Sequence, residues 1–176
     1  MKQFNNESMK QFNKGFGLLE VVISTGILVI VISASVIISK MAVRSSVVSL
    51  ERVQAYNLAQ QGMEGVRAIR DTNWLNGRAW NDSLDPSMSS YDVNNSNNLW
   101  QLTNTIEPIP LDNKDFTRVI TISSIDQTMA NILSQYNSAI TSDKMLKIKV
   151  SVSWREYDQD WSTILYTYLS DWKPGL

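Results

Sequence analysis

Residues 14–40 read KGFGLLEVVISTGILVIVISASVIISK. Between Lys14 and Lys40 there is one charged side chain, Glu20; the rest is apolar or small, rich in Val and Ile, and free of proline. At ~1.5 Å rise per residue, a helix from Phe16 to Ser39 is roughly 36 Å long, enough to cross a hydrocarbon layer of ~30 Å. Glu20 is the exception in this segment. A carboxylate at depth in a membrane costs at least ~2.5 kcal/mol and marks a functional position, unless it sits near the interface, where it costs little.

The residues before the apolar run sharpen this. Lys14-Gly15-Phe16 places a basic residue, a small one and an aromatic at its head. A secretory signal carries its small-residue cut site after the apolar region, and no such site follows Ile38. The small-residue junction lies before the run, at Gly15. This arrangement resembles the class III leader of type IV prepilins. That family is cut between Gly and an aromatic residue, and carries a Glu as the fifth residue of the mature chain. Gly15, Phe16 and Glu20 match these positions, while Gly17 stands where Thr is common.

The chain has 176 residues, 43% of them apolar, and a formal net charge of −1. Without leader and membrane segment, about 135 residues remain, enough for one domain with its own core. A charge near zero gives no basis for direct nucleic-acid binding. There is no cysteine, so the C-terminal disulfide loop of many pilins cannot form. There is no histidine either, so metal sites and catalytic triads lose their commonest member.

Residues 1–15 are polar and contain MKQFN twice, at 1–5 and 9–13, so the start is open between Met1 and Met9. Lysines and arginines flank both ends of the apolar segment, so charge bias does not orient it. The resemblance does, with the leader cytoplasmic and the remainder outside. Residues 40–72 are expected to continue the helix, because no proline occurs before Pro86. Ala55, Leu58, Ala59, Gly62, Val66 and Ile69 form one stripe at helical spacing, with Glu51, Arg52, Gln60, Glu64 and Arg67 read as lying largely off it. The absence of a mid-segment proline predicts no kink.

Ala59–Trp74, AQQGMEGVRAIRDTNW, resembles the helix end of minor pilins of the pilus-modification type, roughly Glu-Gly-x-Glu-x-x-Arg-x-x-Arg-Asp-x-Asn-Trp. Gln61 replaces the first Glu; Gly62, Glu64, Arg67, Arg70, Asp71, Asn73 and Trp74 match. Taken individually, Arg67 and Arg70 are cations suited to a helix C-terminus, and Asp71 and Asn73 suit a stop or turn. The ending YLSDW resembles the close of the same proteins.

Residues 73–116 read as a loop-rich connection with short strand or turn pieces around Trp80, Tyr91 and Leu99–Leu102. Asp82, Asp85, Asp92, Asp112 and Asp115 lack the ligand spacing of a calcium loop and read as solvated acids, so no metal or cofactor is expected. Residues 117–176 read as an antiparallel β-sheet head, with strands at Thr117–Ile125, Met145–Trp154 and Trp161–Ser170. In the second, Leu146, Ile148, Val150, Val152 and Trp154 face the core, and Lys147, Lys149, Ser151, Ser153 and Arg155 face water. The third is apolar on both faces, which leaves its inward set open. Arg155–Asp160 suits a hairpin loop, and 127–140 a short helix.

The fold class expected is α+β: a long N-terminal helix, residues 16–39 and 40–72, packed on a small antiparallel head behind a leader at 1–15. The resemblance implies a pilin-like structural subunit, with prepilin peptidase cutting at Gly15/Phe16, N-methylation of Phe16, and other pilin subunits as partners through the helix. Glu20 would supply an assembly salt bridge. The protein would be a single-pass membrane protein before joining a surface filament. A type II secretion or DNA-uptake pseudopilin fits the N-terminus equally. A signal-anchored enzyme lacks any catalytic constellation here. A membrane-anchored extracytoplasmic binding module would use aromatics such as Trp74, Trp80 and Trp100.

Overall fold

The computed structural model describes residues 13–87, 91–97, 99–136 and 141–171. Residues 1–12, where most of the expected leader and both alternative starts fall, and the last five residues lie outside them. The chain is α+β and divides into two compact units, Met1–Ser49 and Leu50–Leu176.

The first unit holds the beginning of α1, Asn13–Leu75, a helix of 63 residues with no proline to break it. Its apolar side chains from Leu18 to Val43 are exposed throughout. It is the one helix among the described residues long and apolar enough to cross a membrane. Four of its hydroxyls are spent internally. Thr25 donates to the Val21 carbonyl at 2.8 Å, and Ser33, Ser35 and Ser39 each donate at 2.8 Å to the carbonyl four residues back. A polar side chain that bonds its own helix presents no unmet donor to lipid.

The second unit begins with the last turns of α1. Ala55, Ala59, Val66 and Ile69 are buried, as the stripe predicts. They share a core with Ile120, Ile122, Ile148, Val150 and Val152 from the sheet. Burial of each Val or Ile side chain stabilises by ~1.5–3 kcal/mol, and of each alanine by less. Glycines set the approach. A Cβ on Gly62 would lie 3.0 Å from Arg118 Cδ and 3.1 Å from Val150 Cγ1, so α1 packs on the sheet at that point without room for a side chain. The helix runs three residues past the expected end and closes on Gly77, whose φ of +67° suits a residue without Cβ. Arg78 N–H donates to the Asn73 carbonyl at 2.8 Å and Gly77 N–H to the Trp74 carbonyl at 3.1 Å, which is a Schellman cap.

Two antiparallel sheets follow. β1 (Asp92–Ser96) pairs with β2 (Leu99–Thr103) as a hairpin. β3 (Ile109–Leu111), β4 (Lys114–Ser124), β5 (Met145–Glu156) and β6 (Gln159–Ser170) form a four-stranded sheet in chain order. The region 73–116 is thus more structured than its loop-rich sequence suggests. Asn94, Asn95 and Ser96 are poor strand formers, yet they pair with Gln101, Trp100 and Leu99. Tertiary pairing overrides propensity there. α2 (Gln127–Tyr136) joins β4 to β5 and buries Ala130.

The alternation of β5 holds: Leu146, Ile148, Val150, Val152 and Trp154 are all buried. The inward set of β6 is Trp161, Thr163, Leu165, Thr167 and Leu169, because Val150 faces Leu165 and Ile148 faces Thr167. The β5–β6 turn is shorter than expected. Arg155 pairs with Asp160 and Glu156 with Gln159, leaving Tyr157 and Asp158 at positive φ, as a tight hairpin turn requires.

The sheet's edges differ. β3 is three residues long and contains Pro110, which has no N–H to offer. β6 is 12 residues long, carries no charge from Trp161 to Ser170, and has no strand paired with its outer side among the described residues.

Candidate functional site

Three places carry functional interest: the head of the apolar helix, a buried polar hub under the β1–β2 hairpin, and a cavity at the end of α1.

At the first, Gly15 and Phe16 lie within the backbone of α1; their side chains are outside the described residues. Glu20 is exposed on the helix among Leu18, Leu19, Val21, Val22 and Ile23, all more than half exposed. Among the described residues it forms no ion pair. An anion on an apolar surface with no cation beside it is costly in hydrocarbon unless a partner arrives from elsewhere.

The hub is built by Arg118. It sits on the inward face of β4 between Phe116 and Ile120, and is only 4% exposed. Its Nε donates to Asp92 Oδ1 at 2.6 Å and Nη2 to the Val93 carbonyl at 3.0 Å. Its Nη1 reaches Gln61 Oε1 at 2.9 Å and the Leu58 carbonyl at 3.3 Å. One guanidinium therefore ties α1, the hairpin and the sheet together. Asp92 is buried too, so it is not the solvated acid its loop position suggests. The sequence did hold a signal for this: Arg118 falls in the inward register of an alternating strand, where a cation needs a buried partner.

A second buried cluster corrects the reading of Glu51. It lies four residues before Ala55, hence on the buried stripe rather than off it, and is 4% exposed. Its Oε2 accepts from Trp154 Nε1 at 3.0 Å, and its Oε1 lies 2.5 Å from Lys114 Nζ. Lys114 also pairs with Glu156.

The residues of the Ala59–Trp74 string divide by role. Gln61 and Gly62 serve the hub. Gly65 admits the hairpin, because a Cβ there would lie 2.9 Å from Trp100 Cε3. Arg67 pairs with Glu64 and donates to Thr167 Oγ1 at 3.2 Å. Arg70 pairs with Asp71 and lies 4.7 Å from the centroid of the Trp74 ring. Asn73 is neither a stop nor a turn residue. It is buried within the helix and donates to the carbonyls of Trp80 at 3.3 Å and Asp82 at 2.8 Å, holding the following loop.

In that loop, Asp85 accepts from the Ser87 N–H and from Ser87 Oγ, both at 2.8 Å. These bonds hold its carboxyl below the usual Asp range, the backbone N–H contributing most. Among the described residues, no three acidic side chains converge as a cation site would require.

The cavity lies between the end of α1 and the β1–β2 hairpin. Its volume is about 400 Å³, and Asn73, Asn76, Arg78, Trp100 and Gln101 contribute to its lining. Trp80 and Trp154 are buried in the core, whereas Trp100 is half-buried, with one side on Gly65.

Comparison with protein-family models, curated proteins and solved structures found no match for this chain.

Proposed function

We propose that this chain is a type IV pilin-like structural subunit, of the minor kind, which prepilin peptidase releases from its leader and which then joins a surface filament. The observation that carries the reading is the coincidence of Gly15, Phe16 and Glu20 at the head of an exposed apolar helix. The order of elements supports it: α1 comes first, and its last turns pack on antiparallel strands.

Cleavage at Gly15 would create an amine at Phe16 that the precursor lacks. In a bundle of such helices, that amine on one subunit meets Glu20 on its neighbour. Each charge is expensive to bury alone, so the pair favours one axial register over slipped ones.

N-terminal mass spectrometry of assembled protein is expected to find methylated Phe16, and Glu20→Gln is expected to fold normally but enter filaments poorly when co-expressed with the wild-type chain. A mature N-terminus after Ser33 or Ala34, or normal incorporation of the Gln variant, overturns the proposal.

A further inference from the structure

We infer that the cavity between the end of α1 and the β1–β2 hairpin is a saccharide-binding site for one or two sugar rings. This does not depend on the filament reading.

Size comes first. At about 400 Å³ the cavity lies at the small end of the range for ligand pockets. Its lining then selects the chemistry. Trp100 is among the lining residues, and its indole has a flat apolar face of the kind that the C–H side of a sugar ring covers. Asn76 and Gln101 line the cavity with exposed primary amides, beside Thr72 and Arg78, while Asn73, whose N–H groups are already bonded, has only its oxygen left to accept. A primary amide donates from nitrogen and accepts at the adjacent oxygen. That spacing suits neighbouring hydroxyls on a ring, each of which also donates and accepts.

Other ligand classes fit less well. Among the described residues no carboxylate lines the cavity, so the counter-charge that an amine or a cation needs is missing from them. Among the described residues Arg78 is the only cation in the lining, and it already lies 3.7 Å from Asp82, so a phosphate finds no second positive group among them. An acyl chain needs apolar walls throughout, and the amides break them.

The walls are also held in place before any ligand arrives. Both amide protons of Asn73 are committed to the carbonyls of Trp80 and Asp82, which fixes the orientation of its amide. Trp100 rests on Gly65, where no side chain intervenes. The Schellman cap anchors the backbone of Arg78. A rigid site loses less entropy when it binds.

The test uses the full chain in a detergent without a sugar headgroup, since glycoside detergents would compete. Saturation-transfer NMR is run against glucose, galactose, mannose, N-acetylglucosamine and their disaccharides. At least one sugar is expected to bind with a Kd on the order of 1 mM or tighter. Asn76 and Gln101 are exposed, so Asn76→Ala with Gln101→Ala is expected to keep the melting temperature. The double variant is expected to weaken binding by about tenfold or more, as the loss of two hydrogen bonds implies. Lys149→Ala, on the outer face of β5, is expected to bind as the wild type does. Failure of every sugar to bind at about ten times that concentration overturns the inference. So does binding that the double variant leaves unchanged, because the sugar would then sit elsewhere.

Discussion

Replacing Arg118 by Met tests whether one buried guanidinium holds the second unit together. Met keeps most of the length and all of the apolar stem, so the change isolates the charged end. Four contacts disappear: Asp92 at 2.6 Å, Gln61 at 2.9 Å, Val93 at 3.0 Å and Leu58 at 3.3 Å. The cost is dominated by what stays behind. Asp92, 7% exposed, becomes an uncompensated buried anion, and breaking such a pair from one side costs ~3–5 kcal/mol. Adding Asp92→Asn removes that anion and keeps an oxygen for the Val93 N–H, which Asp92 Oδ1 now accepts at 2.7 Å. The remaining loss is chiefly the Val93 carbonyl, at ~1–3 kcal/mol. The double variant is therefore expected to be more stable than Arg118→Met alone. Chemical denaturation followed by tryptophan fluorescence, run as a double-mutant cycle, measures this. A loss under ~1 kcal/mol for Arg118→Met, or simple additivity of the two substitutions, refutes the reasoning.

Two other outcomes follow from the geometry. Val150→Asp puts an unpaired carboxylate into a position with no exposure and is expected to cost more than ~4 kcal/mol, whereas Lys149→Asp, on the outer face, is expected to cost under ~1 kcal/mol; thermal melting separates them, and equal losses would contradict the register. For Asp85, whose folded pKa is depressed, the stabilising contribution is present above the unfolded value of ~3.9 and lost as pH falls through the lower folded value. Ser87→Ala keeps the backbone bond and is expected to raise the Asp85 midpoint only part of the way in a carboxyl NMR titration.

What the sequence made legible is what repeats. The stripe from Ala55 to Ile69 and the alternation from Leu146 to Trp154 each report one buried face at a fixed period, so helix, strand and register could be read from them. Single polar contacts leave no such pattern. Nothing in Asn94-Asn95-Ser96 shows that Leu99–Gln101 will pair with it. The charge of Glu51 suggests an exposed position, but its spacing of four from Ala55 puts it on the buried face. The string from Ala59 to Trp74 stands out as a whole, but the separate tasks of Gly62, Gly65 and Asn73 depend on packing partners from strands distant in the chain or from the loop that follows. The cavity has the same origin: its lining comes from the end of α1, the residues just after it and β2, and only the fold brings them together.

The unequal edges of the four-stranded sheet have a consequence for self-association. Strand-to-strand stacking grows without limit only when every unit offers two acceptor sides, one to receive and one to pass on. Here Pro110 and the brevity of β3 close one side, while the uncharged run Trp161–Ser170 leaves the other open. A second β6 has one place to add, and the sheet so formed ends in a β3 on both sides. Pairing of β6 with a second β6 is therefore self-terminating: it ends at two copies rather than a fibre.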